Sequence, residues 1–257
     1  MAKSAYRDRE NTSLPQAEEG SGLVLVPGRR QSLADQLYGQ LLDQLVSGRL
    51  NEGDRLPPEK EICSMFGVSR PVVRDALARL RADGLLQARQ GSGTYVLRRP
   101  SGRLAGVANS SEIAAFLRCL EARMPLEAAS ARLAAERRTN AQLQKMRAAH
   151  EKLGQEVEKG SATAPSDLDF HMAIAEATGN EFYPALLNHL VGAISGFMDV
   201  SLYVTRTGSR ERQLQAFREH CYIFEAIENQ EPDNAEVAMR FHIGQSRERL
   251  TDRSRDN

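Results

Sequence analysis

Apolar positions first become periodic near residue 32, and the spacing there is helical. Ser32 is a residue type that favours the N-cap of a helix, and Gly48 is one that favours its end. Residues 1–30, which precede this helix, are polar and show no sustained period, so we expect a flexible arm. The apolar stripe of the predicted helix consists of Leu33, Leu37, Leu41, Leu42 and Leu45.

Two short helices and a hairpin follow this first helix. The pattern predicts helices over 59–66 and from about 70 to 83, and a tight turn over 67–69 separates them. Strand-like pieces at 85–88 and 94–97 lie on either side of a glycine-containing loop, which is typical of a hairpin tip. Short helices around a tight turn, with a hairpin after them, predict a winged helix-turn-helix domain.

From residue 111 onward the pattern is helical and shows no strand alternation. We therefore predict a mainly α protein. It has a winged helix-turn-helix domain over 31–99, a linker over 100–110 and an all-α helical bundle over 111–252. The helices of this bundle are predicted at 111–136, 139–159, 165–178, 181–204, 209–229 and 232–252.

The balance of charge also changes between the two predicted domains. The 257 residues have no net charge, but residues 29–99 contain twelve basic and eight acidic side chains, whereas residues 100–257 contain 19 basic and 22 acidic ones. A basic segment ahead of an acidic one fits a nucleic-acid-binding module that is joined to a second domain.

The cysteines and the apolar runs exclude several classes of protein. Cys63, Cys119 and Cys221 are far apart and form no Cys-x-x-Cys pair, which argues against a disulfide scaffold and against a cysteine-rich zinc site. No apolar run reaches the length of about 18 residues that a membrane helix needs, and the N-terminus lacks an apolar signal region. We expect a cytoplasmic protein with no membrane partner.

The predicted helix over 70–83 has one basic and one apolar face. Its basic face carries Arg70, Arg74 and Arg81. Arginine can donate two hydrogen bonds to a guanine, and a helix N-terminus favours phosphate, so one interpretation is a recognition helix in the major groove. The other interpretation is an ordinary solvated face. The apolar face, which would pack on the neighbouring helices, consists of Val73, Ala76, Leu77 and Leu80.

The stretch over 56–96 is the most distinctive in the N-terminal part. It reads LPPEKEICSMFGVSRPVVRDALARLRADGLLQARQGSGTYV. Through it, residues 32–97 resemble the DNA-binding domain of the GntR family, whose members typically bind palindromic operators in double-stranded DNA as dimers. The family often has arginine where this chain has Lys60, and a lysine there still suits a phosphate contact. The DNA contacts that the resemblance implies are Lys60, Ser69, Arg70, Arg74, Gln90 and Gly91.

All five histidines lie in the predicted bundle. Asp167 and His171 are four residues apart, which places them on one face of a helix, and His220 and His242 lie on later helices. Carboxylate and imidazole ligands suit zinc, and also nickel or manganese, so these side chains are candidate ligands of one divalent ion. The alternative is a set of ordinary surface or core histidines, with Asp167 and His171 as a local polar pair.

Four stretches of the bundle carry a second resemblance. They read EARMPLEAASARLAA (121–135), DLDFHMAIAEATGN (167–180), EHCYIFEAIEN (219–229) and AMRFHI (238–243). Through them, residues 111–250 resemble the FCD effector domain of the FadR-type branch of the GntR family. Many such domains bind a metal through one aspartate and three histidines. These map onto Asp167, His171, His220 and His242, whereas His150 and His189 fall outside the pattern.

The resemblance also implies an effector. Relatives carry an arginine that points into the pocket, and it maps onto Arg123. Because a guanidinium binds a carboxylate with paired hydrogen bonds, we expect a small carboxylate, hydroxy acid or sugar acid to bind at Arg123 and the metal. Binding would then change operator affinity through the homodimer. The alternative for Arg123 is an ion pair with Glu121, Glu127 or another carboxylate of the bundle.

Three other functions stay open at this point. In a metal sensor, the ion itself would be the signal. A metal-dependent enzyme fused to a DNA-binding domain would use Glu176 or Glu219 as a base, but no HExxH, GxSxG or Walker-type segment supports it. A regulator of fatty-acyl or other apolar ligands would need a less polar pocket. We expect a transcription regulator and not an enzyme.

Overall fold

The computed structural model describes residues 32–100, 109–192 and 210–251, which belong to one structural unit. The arm predicted over 1–30, most of the linker predicted over 100–110 and the C-terminal part of the helix predicted over 181–204 lie outside the described residues.

The N-terminal part has the predicted order of elements. Three helices, α1 (Leu33–Ser47), α2 (Glu59–Phe66) and α3 (Arg70–Ala82), precede the antiparallel strands β1 (Leu86–Arg89) and β2 (Gly93–Val96). The side chain of Ser32 caps α1 by accepting a hydrogen bond from the backbone of Asp35, and Gly48 ends this helix with a φ of 80°.

A short segment ahead of α2 pairs with strand β2 and extends the hairpin. The sequence did not predict this extra segment. The backbone N–H of Leu56 donates to the backbone carbonyl of Thr94, and the backbone N–H of Val96 donates to the backbone carbonyl of Asp54, both at 2.9 Å. The segment is too short for a visible alternation, because Pro57 follows it directly.

Helix α3 has the two faces that its sequence predicts. Val73, Ala76, Leu77 and Leu80 are buried, and α3 packs against α1 and α2. Four leucines of the α1 stripe are buried as well, whereas Leu33, at the start of the helix, is 55% exposed. The hydrophobic burial therefore fixes the orientation of α3 and leaves its arginine-bearing face outward.

The C-terminal part is all-helical over the residues that the structure describes. Helix α4 is central, because α9 packs along it and α6, α7 and α8 contact it too. Capping boxes at Asn109, Thr139 and Thr163 define the starts of α4, α5 and α6. The helices are α4 (Ser110–Arg137), α5 (Asn140–Glu158), α6 (Ala164–Glu176), α7 (Phe182–Gly192), α8 (Arg210–Glu228) and α9 (Pro232–Thr251).

Among the helices that the structure describes, none has an apolar stretch long enough to cross a membrane.

Candidate metal centre and nucleic-acid interface

Three histidines from three helices meet inside the bundle. His171 comes from α6, His220 from α8 and His242 from α9, and all three are buried. One ring nitrogen of each lies within 4.8 Å of the other two, and the Nε2 atoms of His171 and His220 are 3.4 Å apart. Tertiary packing thus brings together side chains that are up to 71 residues apart in the chain.

Asp167 lies beside this histidine cluster. Its Oδ1 is 3.2 Å from His220 Nε2, and its Oδ2 is 3.9 Å from His171 Nε2. Burial would raise the pKa of this carboxyl, but the hydrogen bond and charge of His220 keep the pKa well below its usual range. The carboxylate is therefore ionised, as a metal ligand must be.

Two further carboxylates face the outer nitrogens of the histidine cluster. Glu219 Oε2 is 2.9 Å from His242 Nδ1, and Glu127 Oε2 contacts His171 Nδ1. A carboxylate on Nδ1 fixes the orientation of an imidazole and leaves Nε2 for an ion, which is the usual arrangement around metal-binding histidines.

Arg249 and Arg123 neutralise these two carboxylates. Arg249 Nη1 donates to Glu219 Oε1 at 2.9 Å, and Arg123 Nε donates to Glu127 Oε1 at 2.5 Å. Burial opposes ionisation of Glu127, but the charges of Arg123 and His171 lower its pKa to about 2. The carboxylate of Glu127 thus stays charged at any physiological pH.

For Arg123 the structure shows the alternative that its sequence left open, which is an ion pair. It forms the ion pair with Glu127, and its Nη2 is buried with no hydrogen-bond partner among the described residues. Arg123 lies close to the histidine cluster, because its partner Glu127 contacts His171.

Sequence reasoning missed Glu127 and Arg249 as supporting residues and considered Glu219 only as a catalytic base. A weak signal was present for Arg249, because it lies seven residues, or about two helical turns, after His242. Glu176, the other base considered, forms an ion pair with Lys145 away from the histidine cluster.

The donor set suits a divalent metal ion. Three imidazoles and a carboxylate are ligands that zinc, nickel and manganese accept. The pKa of His242 is well below its usual value because of burial and of the neighbouring His220 and His171, so its ring is neutral and able to bind an ion.

The remaining two histidines lie outside the cluster. His189 is exposed on α7. The ring of His150 stacks on Phe217 and Phe224, with centroids 4.9 and 5.0 Å apart. Burial, followed by the charges of His220 and Arg147, lowers the pKa of His150 to about 4.

The predicted DNA contacts are all exposed. They occupy the start of α2, the start and outer face of α3 and the hairpin tip, where Gly91 has a φ of 70°. Arg74 Nε donates to Glu59 Oε2 at 2.9 Å, so this arginine is paired with an acidic residue of α2. The exposed set comprises Lys60, Ser69, Arg70, Arg74, Gln90 and Gly91.

Comparison with known proteins covers both parts of the chain. Residues 33–96 match the gntR family of bacterial regulatory proteins, and residues 118–245 match the FCD domain. The chain is 32% identical over 235 residues to the HTH-type transcriptional repressor NanR of Klebsiella aerogenes, with 87% of each chain covered. It is 31% identical to the repressor of that name from Escherichia coli K12, with 87% of this chain and 86% of the repressor covered. A solved structure, Streptococcus agalactiae GntR, is 26% identical, has a TM-score of 0.46 and is matched over 83% of this chain and 98% of its own.

Proposed function

The chain belongs to the GntR family of bacterial transcription regulators and carries an FCD effector domain, and from that premise we propose that it is a repressor controlled by a small organic acid. The acid would be a carboxylate, hydroxy acid or sugar acid bound at a metal site in the helical bundle. The matched families and relatives are regulators and not enzymes.

The observation that carries this proposal is the buried Nη2 of Arg123, which has no hydrogen-bond partner among the described residues. A buried donor without a partner costs about 1–3 kcal/mol, and more when it is charged. A carboxylate would satisfy it with a charge-assisted hydrogen bond. Because Arg123 also contacts Glu127, which contacts His171, such an acid would bind beside the histidine cluster.

The residues that would hold the metal are Asp167, His171, His220 and His242, with zinc as the first candidate and nickel or manganese as alternatives. A bound divalent ion would supply a positive centre to which a carboxylate oxygen can coordinate. Glu127 and Glu219 orient two of the histidines through their Nδ1 atoms.

The DNA side of the proposal uses the exposed residues of α2, α3 and the hairpin. Arg70 and Arg74 would contact bases or phosphates in the major groove, with Ser69 at the helix start and Lys60 on phosphate. Gln90 and Gly91 would meet the DNA at the hairpin tip. Such a regulator works where the chromosome is, so we place it in the cytoplasm.

A palindromic operator needs two recognition helices, and we propose a homodimer. An apolar cleft between α4 and α7 supports it. Phe182 and Leu186 in this cleft are 66% and 52% exposed, which is unusual for neighbouring large apolar side chains. The cleft also includes Pro125, Leu126 and Tyr183.

A metal sensor without an organic ligand is the second candidate, because the histidine cluster alone would explain a response to free metal. The two functions differ in whether an acid stabilises the metal-loaded protein. A ligand that binds only the folded state raises the melting temperature.

The test is thermal unfolding of the zinc-loaded protein with a panel of small carboxylates and sugar acids, repeated after chelation. Stabilisation by one acid that chelation abolishes is expected. The double variant His171→Ala/His220→Ala should contain no zinc by elemental analysis, whereas the exposed control His189→Ala should contain the parent amount. Stabilisation by zinc alone, with no response to any acid, would favour the metal sensor.

A further inference from the structure

Helix α9 contacts the C-terminal end of α3. Arg247 Nη2 donates to the backbone carbonyl of Ala82 and, at 2.9 Å, to Asp83 Oδ1. Asp83 is the C-cap of α3, and its Oδ2 accepts a hydrogen bond of 2.5 Å from the buried hydroxyl of Tyr38 on α1. Arg247 therefore places a cation at the negative end of the helix dipole of α3, where it is favourable. We call the contact of Arg247 with Ala82 and Asp83 the α3–α9 contact.

The same stretch of α9 supports the histidine cluster. Two residues beyond Arg247, Arg249 donates to both oxygens of Glu219 at 2.9 and 3.2 Å. Glu219 in turn lies 2.9 Å from His242, which is itself on α9. The last turns of α9 thus carry Arg249, which holds Glu219 beside the histidine cluster, and Arg247, which contacts the end of α3.

A second connection leads from α3 to α4. Arg79 Nη1 donates to Asp35 Oδ1 at 2.7 Å, and Arg118 of α4 lies 3.8 Å from the same oxygen. Helix α4 also carries Arg123 and Glu127. Helix α4, which contacts Asp35, and helix α9, which contacts Asp83, therefore both carry residues of the candidate metal and effector site.

We propose that the α3–α9 contact transmits occupancy of the histidine cluster to α3, with Arg247 as the positioning residue. Packed helices move as rigid bodies, so a displacement of α9 near His242 also displaces Arg247 relative to Ala82 and Asp83. Occupancy of the cluster restrains His242, and Glu219 and Arg249 pass this restraint along α9. This inference rests on the proposed metal site.

The experiment is hydrogen exchange of the full chain, compared between zinc and excess chelator, together with zinc content by elemental analysis. In the parent, zinc should slow exchange in a peptide over 77–84 by about fivefold or more, the lower end of usual coupling between sites. Arg247→Ala should keep its zinc but lose this difference. Arg247→Lys, which keeps one cationic donor near the Ala82 carbonyl, should restore part of it.

Arg240→Ala is the matched control, because Arg240 lies on the same helix and pairs only with Glu236 on the surface among the contacts described. It should behave as the parent does. A zinc effect on 77–84 that is equally large in Arg247→Ala, or absent in a zinc-loaded parent, would overturn the transmission while leaving the metal site intact. A parent that takes up no zinc would instead remove the proposed function, and the inference with it.

Discussion

His242 Nδ1 lies 2.9 Å from Glu219 Oε2, and both groups are buried. The contact fixes the orientation of the imidazole, so that Nε2 is the ring nitrogen available to bind an ion in the histidine cluster. Glu219 is held in turn by Arg249, whose guanidinium donates to both of its oxygens and fixes the orientation of the carboxylate. The candidate metal ligand His242 and the two residues that hold it, Glu219 and Arg249, thus form one connected hydrogen-bond network.

Glu219→Gln tests this arrangement. The amide keeps the size of the side chain but removes the charge that orients His242 and neutralises Arg249. Zinc affinity, measured by competition with a chromophoric chelator, should fall by about 10–100-fold, the usual cost of losing such a supporting group. Glu225→Gln, an exposed change on the same helix, is the control. Equal zinc affinity in Glu219→Gln and the parent would show that His242 needs no carboxylate.

The ion pair between Arg74 and Glu59 predicts opposite effects on DNA binding for substitutions at its two residues. Arg74→Ala should weaken operator binding by about 1–3 kcal/mol, as expected for the loss of a base-contacting arginine. Glu59→Gln should strengthen it, because it frees Arg74 from a competing carboxylate 2.9 Å away and removes a negative charge near the phosphates. Fluorescence anisotropy at fixed salt on a selected operator measures both. Arg240→Ala should leave binding unchanged, and weaker binding by Glu59→Gln would mean that the pair orients Arg74 productively.

Local patterns predicted much of this fold. The leucine stripe of α1 and the two-faced α3 follow from spacing, because a helix places residues i, i+3 and i+4 together. The caps at Ser32 and Gly48 follow from residue type. The family membership expected from the stretch over 56–96 and from four stretches of the bundle is confirmed by the match to known proteins.

The support of the candidate site could not be predicted in the same way. Glu127 reaches His171 only because α4 packs against α6, and nothing near either residue signals that pairing. The Arg247 contact with Asp83 joins positions 164 residues apart. Such contacts depend on tertiary packing, and a single sequence carries little information about it.

His150 predicts a pH dependence of stability in the chelated protein. Its pKa is about 4 in the folded protein, below the ordinary 6.5, because burial disfavours the charged ring. Between these two pH values the unfolded chain binds a proton that the folded one does not, so stability should fall as pH drops from about 6.5 to about 4.

His150→Phe tests that origin, because a phenyl ring can occupy the same stacked position between Phe217 and Phe224 without titrating. Urea unfolding in chelator at pH 7 and pH 5 should show a smaller loss of stability for His150→Phe than for the parent. His189→Ala, which changes an exposed ring, is the control. An identical loss in His150→Phe and the parent would assign the pH dependence to the other histidines.

The apolar cleft between α4 and α7 predicts where the homodimer forms. Leu186 is exposed by 52%, so Leu186→Glu should not harm folding of the single chain, but a charge buried in an apolar interface is costly. The dimer should weaken by about 2 kcal/mol or more, equivalent to a dissociation constant about 30-fold higher, as measured by analytical ultracentrifugation. Operator binding at low protein concentration should fall with it, because a single recognition helix contacts only one half-site. Val237→Glu is the matched control, since Val237 is 66% exposed on α9 and does not line this cleft. If Leu186→Glu and Val237→Glu dimerise equally well, the interface lies elsewhere, and the exposed apolar residues of the cleft need another partner.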